Sequence, residues 1–255
     1  MKIVSWNCLD NFASKAEHIQ RLNPDIVVVQ ECWPSDSRAL SEWGYSGTEW
    51  RGAKGIRLSR GIIVFYRQPW KVTMLHEPTH TFVIPFRVEG PEIFNLIAVW
   101  SWKPESKVSR VKSESIASAQ ATSGISNILF RYTDVIRNAI ATNESWFQCE
   151  RVIVCGDFNS NCIWDTKKDG QHAAIVSDLK SRGLISAYHH SKELAQGDER
   201  DHTFFMNRKL TRSYHIDYVF FSEIWRERLT SCEVGQHGYW SNYSDHCPIS
   251  IEIAM

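Results

Sequence analysis

The sequence predicts an α/β fold, a single domain over residues 1–255 in which β-sheets face each other and helices cover the outside. Three observations predict it. Short apolar runs rich in β-branched residues recur along the whole chain. Helix-period segments are interleaved among them. Neither a low-complexity linker nor an internal repeat divides the sequence.

In chain order, residues 3–6 form a short apolar strand. Ser14 is placed to cap a helix carrying Ala16, Ile19 and Leu22, with Glu17 three residues on as in a capping box. Asn23-Pro24-Asp25 stops that helix, because proline disfavours helical geometry in the residue before it. Ile26-Val27-Val28-Val29 is a continuous β-branched run, the pattern of a strand buried on both faces. Further strands are expected at 61–66, 71–75, 81–88 and 93–100. The turn-like segments Arg67-Gln68-Pro69 and Glu89-Gly90-Pro91 make antiparallel hairpins of their neighbours. The longest helical stretch runs over 111–141 with a break near Gly124. A buried strand follows at 151–155, and then a helix over 173–182 with Gly183 as its C-terminal cap. Strands return at 215–221, 229–234 and 249–253. The polar stretch 186–200 reads as an exposed loop, which makes solvent-facing residues of His189 and His190, and His202 follows them.

Composition narrows the function classes. The 29 Lys+Arg balance 29 Asp+Glu, which argues against coating nucleic acid by bulk charge, since that needs many cations to displace phosphate counterions. Eleven Trp supply flat amphipathic area for cores or for stacking. The seven cysteines are odd in number and form no CxxC pair. That predicts free thiols in a reducing compartment, and so a cytoplasmic protein, rather than a disulfide framework or structural zinc. No secretory signal is visible at the start. No run approaches the roughly 18 apolar residues of a membrane span. A monomer is expected.

Polar residues are most informative where they end apolar strands. Trp6-Asn7 ends the first strand, Gln30-Glu31 the second and Gly156-Asp157-Phe158-Asn159 the central one. His215-Ile216-Asp217-Tyr218 opens another, and Ser244-Asp245-His246 precedes the last. A side chain at such a place is held on a rigid element and can be aimed at a common cleft. Glu31, Asp157, Asp217 and Asp245 are carboxylates, Asn7 and Asn159 amides, and His246 an imidazole beside a carboxylate. This oxygen-rich, thiolate-free set suits a hard cation, Mg²⁺ or Mn²⁺, which keeps open positions for phosphate esters.

The ordered set WN, QE, GDFN, HIDY and SDH resembles the endonuclease/exonuclease/phosphatase superfamily, with its DNase I-like and exonuclease III-like members, from Trp6 to Pro248. The resemblance implies a four-layer α/β sandwich and metal-dependent hydrolysis of a phosphate ester. By resemblance, Glu31 is the main metal ligand, with Asn7 and Asp245 completing or supporting the metal shell. Asp157 holds and deprotonates the attacking water, and Asn159 positions that water or bonds the phosphate. His246 stabilises charge on a phosphate oxygen, and Asp217 fixes the imidazole's orientation. The sequence departs from the pattern at Trp100, where many relatives carry His or Tyr. An indole donates one N–H but exchanges no proton near neutral pH. Trp100 therefore offers only that hydrogen bond, or else another residue or water protonates the leaving group. Stacking on a substrate ring and plain core packing both stay open for it.

Residues 51–112 carry 11 basic and 4 acidic residues. Arg51, Lys54, Arg57, Arg60, Lys103, Lys107, Arg110 and Lys112 are read as either ordinary solvated loops or a phosphate-facing rim, with Arg51 and Lys103 taken as substrate contacts. The expected function is a divalent-metal-dependent phosphodiesterase acting on DNA or RNA, since the HIDY segment reads like the nuclease version of its motif and the WCDR-type sequence of inositol polyphosphate 5-phosphatases is absent. A phosphatase or phosphodiesterase of a small molecule or lipid headgroup is the alternative. A non-catalytic binding module on the same fold is the third reading.

Overall fold

A computed structural model describes residues 1–52, 59–76, 80–102, 132–165 and 171–255. One sheet contains β1 (Lys2–Asn7), β2 (Ile26–Cys32), β3 (Tyr45–Gly47), β4 (Arg51–Gly52), β5 (Gly61–Arg67), β14 (Leu229–Val234) and β15 (Ile249–Ile253), in the order β14-β15-β1-β2-β5-β3 with β4 also on β5. The other contains β6 (Lys71–Met74), β7 (Val83–Glu89), β8 (Phe94–Trp100), β9 (Val152–Asp157), β10 (Leu184–Ser186) and β13 (Asp217–Ser222), in the order β10-β13-β9-β8-β7-β6. A small ribbon, β11 (Phe204–Phe205) with β12 (Ser213–Tyr214), stands beside them. Both sheets are mixed. β1 runs parallel to β2 and antiparallel to β15, and β8 runs parallel to β9.

The strand period of two explains the layering. In β2, Ile26 and Val28 face the other sheet, where they meet Leu96, Ala98, Ile153 and Val219. Val27 and Val29 face outward onto Phe12, Ala16, Ile19 and Leu40. The run at 26–29 is thus buried on both faces, as its composition predicts. The outer face of the second sheet is covered by α2 (Tyr132–Thr142) and α3 (His172–Lys180), through Ile136, Ala139, Ile140, Ile175 and Leu179. The first sheet's outer face takes a 3₁₀ turn at Phe12–Lys15 continuing into α1 (Ala16–Gln20). Helix, sheet, sheet and helix make a four-layer α/β sandwich with apolar cores between successive layers. Each large apolar side chain fully buried there contributes about 1.5–3 kcal/mol.

Several expectations are corrected. Arg67-Gln68-Pro69 is not a hairpin: β5 and β6 lie in different sheets, so this segment is a crossover. Glu89-Gly90-Pro91 does join an antiparallel pair, β7 and β8. Ser14 caps no helix. Its hydroxyl donates to the Asn11 carbonyl, and the first α-helical residue is Ala16. Leu9, Asp10 and Asn11 are all left-handed, and the 3₁₀ turn at Phe12–Lys15 follows them. Of the helix expected over 111–141, the part before Tyr132 lies outside the described residues. The stretch 186–200 is not simply loop: Ala187–Lys192 form α4, and His189 is buried against Glu199, 3.0 Å away. All seven thiols are free, five of them buried, and burial pushes those of Cys155 and Cys232 up to about 12.

Candidate active site

The inward-facing row of each strand turns from apolar to polar at one end of the sandwich. Ile3, Ser5, Asn7 on β1, Ile26, Val28, Gln30 on β2 and Ile153, Cys155, Asp157 on β9 follow the same face by period two. Asp157 and Asp217 are direct partners across the antiparallel pair β9–β13, which brings their carboxylates together on that face. Gly156, before Asp157, has φ +143°, and a Cβ there would lie 1.8 Å from the Val99 carbonyl oxygen. Only glycine lets β8 and β9 approach closely enough to set Asp157 in place.

Glu31 reaches the site by a bulge. The β2–β5 register passes from Gln30↔Ile62 to Cys32↔Gly61, and the extra residue, Glu31, has φ 58°. A bulge re-aims one side chain out of the alternation. Here it turns the carboxylate toward Asn7, whose amide nitrogen donates to both Glu31 Oε1 and Asp157 Oδ2 at 3.0 Å. The Asn7 oxygen accepts the Leu9 N–H at 3.2 Å. Asn7 is therefore a tie between two carboxylates. Asn159 braces Asp157 from the other side. Its backbone N–H donates to Oδ1 at 2.8 Å, and its amide donates to Oδ2 at 2.9 Å and to the Ser101 carbonyl at 2.8 Å.

His246 Nδ1 lies 2.8 Å from Asp217 Oδ2, and both side chains are almost wholly buried. Ser244 holds the segment: its hydroxyl donates to the Asn7 carbonyl and accepts the His246 N–H. Trp6 Nε1 donates to the His246 carbonyl at 2.9 Å. Thr203, fully buried, links the two partners' backbones. Its hydroxyl accepts the N–H groups of Ile216 and Asp217, and its carbonyl accepts that of Cys247 at 2.7 Å. Burial works against charge on His246, yet the Asp217 carboxylate beside it, with Asp157 and Asp245, holds its pKa up to about 10. Burial and the neighbouring Asp217 carboxylate push Asp157 well above the usual carboxylate range. Burial also raises Glu31, opposed by Arg60 and Asn7.

Ligand atoms of Asp157, Asp217 and His246 lie within 4.8 Å of one another. As a metal set they are poorly disposed, because Asp217 and His246 satisfy each other and Asp157 already accepts three hydrogen bonds. Glu31 and Asp245 fit a cation better. Asp245 Oδ1 is buried with no hydrogen-bond partner, an arrangement that a hard cation would satisfy.

The substrate contacts expected from the sequence fare differently. Trp100 is 3 % exposed, set edge-on to Phe82 and tilted against Trp102. It is core packing at the end of β8, with no open face for a base. Arg51 pairs with Glu49 at 3.1 Å, and Lys103 lies outside the described residues. Among the described residues Arg60 does reach the site, where its guanidinium bridges Glu31 and Asp10. Asp10 also accepts from Trp33 Nε1 at 3.2 Å. Its involvement was not foreseen, and a lone Asp in a loop carries no pattern that could have announced it. A second basic segment, Arg208, Lys209 and Arg212 with the exposed Leu210, forms the tip of the β11–β12 ribbon, whose Phe204 pairs with His246. Among the described residues no helix is long and apolar enough to cross a membrane.

A family model described as the Endonuclease/Exonuclease/phosphatase family matches residues 4–246. Solved structures similar to this chain include a 3′ phosphatase, NExo, from Neisseria bound to a product DNA hairpin, 18 % identical with a TM-score of 0.67 and full coverage of both chains. An AP endonuclease from Archaeoglobus fulgidus is 14 % identical with a TM-score of 0.68, again over the whole of both chains. The AP endonuclease of Leishmania major is 13 % identical with a TM-score of 0.67, covering all of this chain and 87 % of its own. Among curated proteins no match was found.

Proposed function

The chain belongs to the endonuclease/exonuclease/phosphatase family, and on that premise we propose that it is a divalent-metal-dependent phosphodiesterase whose substrate is DNA or RNA, with residues 1–255 acting as one catalytic domain. The observation that carries this reading is the constellation of Asp157, Asp217 and His246, buried at the sheet ends beside Glu31 and the unpartnered oxygen of Asp245. Nucleic acid is favoured by the similar structures, an enzyme bound to a DNA hairpin and AP endonucleases among them.

Glu31 and Asp245 would hold Mg²⁺ or Mn²⁺, with Asn7 fixing the Glu31 carboxylate. The cation supplies Lewis-acid polarisation of a phosphoryl oxygen and charge neutralisation at the leaving oxygen. Asp157 takes the proton of the attacking water. Its place between Asn7 and Asn159 fixes the carboxylate's direction, and its raised pKa makes it a stronger base than an exposed carboxylate. His246, kept protonated by Asp217, donates from Nε2 to a non-bridging phosphate oxygen as charge builds there. The water oxygen bonds to phosphorus as the ester P–O bond opposite it breaks. Trp100 holds no exchangeable proton, so the leaving oxygen takes its proton from another residue or from water.

The test is hydrolysis of plasmid, single-stranded DNA and RNA with Mg²⁺ or Mn²⁺, alongside a bis-aryl phosphate diester. Cleavage of at least one nucleic acid that EDTA and Asp157→Ala each abolish is expected. Cleavage that survives both would sink the assignment, and turnover of the aryl diester alone would move the substrate to a small phosphate ester.

A further inference from the structure

Arg60 is the described cation in direct contact with the carboxylate assigned to metal binding. One nitrogen of its guanidinium, Nη1, donates to Glu31 Oε2, and the other, Nη2, donates to Asp10 Oδ2. Its third donor, Nε, is buried and has no hydrogen-bond partner. The three side chains are 28 %, 14 % and 19 % exposed in the order Arg60, Glu31, Asp10, so the cluster is partly open to solvent. A guanidinium in this place supplies the positive charge that Glu31 otherwise needs from a cation. Arginine also matches phosphate oxygens with a planar fork of donors.

Resting on the metal-dependent reading above, we propose that Arg60 is a substrate-phosphate ligand that Glu31 holds in reserve. Before a divalent cation binds, Arg60 Nη1 occupies Glu31. Cation binding takes Glu31 away, while Asp10, fixed by Trp33, keeps hold of Nη2. The guanidinium then presents Nη1, freed from Glu31, to a phosphate of the substrate flanking the scissile one. Metal and Arg60 thus compete for one carboxylate, and metal loading prepares the site for its anionic substrate.

The competition is read without turnover. Mn²⁺ binding to the substrate-free protein, followed by electron paramagnetic resonance of the free ion, is compared for wild type, Arg60→Gln, Arg60→Lys and Glu31→Gln. Arg60→Gln is expected to bind Mn²⁺ at least threefold more tightly, because its amide competes weakly for Glu31, while raising KM for an oligonucleotide roughly tenfold with a smaller change in kcat. Arg60→Lys, which keeps the charge but not the fork, is expected to fall between. Unchanged Mn²⁺ affinity in Arg60→Gln overturns the proposal and leaves the metal-dependent reading intact. Mn²⁺ binding that is undetectable in wild type, or unaffected by Glu31→Gln, overturns both.

Discussion

His246 and Asp217 face each other across 2.8 Å at the ends of two different segments, with Phe204 packed beside the imidazole at a ring-to-ring distance of 4.8 Å. The contact fixes which nitrogen is free. Nδ1 is committed to the carboxylate, so Nε2 is the donor available to a phosphate oxygen.

Replacing Asp217 with Asn keeps the shape and removes the charge that holds His246 protonated. For the proposed phosphodiesterase, kcat on an oligonucleotide is expected to fall about 10²-fold or more, the usual loss when a positioned donor to a developing oxyanion is impaired. KM should change little. Steady-state kinetics with circular dichroism on the same samples checks this, and a variant with wild-type kcat would show that Asp217 is not needed to charge the imidazole.

Asp157→Asn separates chemistry from stability. The amide keeps the shape but cannot take a proton, and its NH₂ faces one of the donors from Asn7 and Asn159, so kcat is expected to drop by about 10²–10⁴-fold. It also removes a buried charge that lies opposite Asp217. The mismatched donor offsets that gain, so the melting temperature of the metal-free protein should change little. A large fall in melting temperature beside the loss of activity would mark Asp157 as structural.

The site was legible where local pattern carries it and obscure where it does not. Asn7, Asp157 and Asp217 sit at strand ends that the apolar period of two announces, and the registers of β1, β9 and β13 set them on one face. Glu31 was visible as a strand terminus, but its direction depends on a bulge that composition does not reveal. Arg60 and Thr203 were weaker signals still. Arg60 reads as one of several loop cations until Asp10, fifty residues away, holds it. Thr203 is one more polar residue until the backbone N–H groups of 216 and 217 converge on it. The same limit explains the fold errors. Arg67-Gln68-Pro69 has turn chemistry, but only long-range packing decides that the next strand joins the other sheet.

Behind the site, His172 and His215 are buried and almost fully excluded from solvent, and burial lowers both to about 4. Glu199 is lowered to about 2, where its hydrogen bonds from His189 and Asn161 outweigh the cost of burial. The unfolded chain takes up protons on the histidines below about pH 6.5 and on Glu199 below about pH 4.5, while the folded chain does not. Stability from these groups is thus present above those values. It is lost as pH falls from 6.5 through 4 for each histidine, on the order of 3 kcal/mol apiece, and from 4.5 through 2 for Glu199. Urea midpoints at pH 7.5, 6.0 and 5.0 should fall more steeply in wild type than in His215→Asn, whose amide can keep the bond to the Asp201 carbonyl that Nδ1 now makes. Parallel slopes would refute this role for His215.

Thr203 acts on the catalytic pair through backbone hydrogen bonds. Its hydroxyl accepts two backbone N–H groups, at Ile216 and Asp217, and its carbonyl receives Cys247, the residue after His246. Thr203→Val keeps the volume but leaves two buried donors without an acceptor, at about 1–3 kcal/mol each. The expected result is a melting temperature lower by roughly 4–24 °C. Well below that temperature, kcat should fall tenfold or more with KM little changed, since Asp217 loses its anchor while the substrate surface is untouched. Thr203→Ser restores the acceptor and should recover most of kcat even if the lost methyl costs some stability. A serine variant as impaired as the valine one would assign Thr203 to core packing, and a valine variant with full kcat would show that Asp217 and His246 find each other without it.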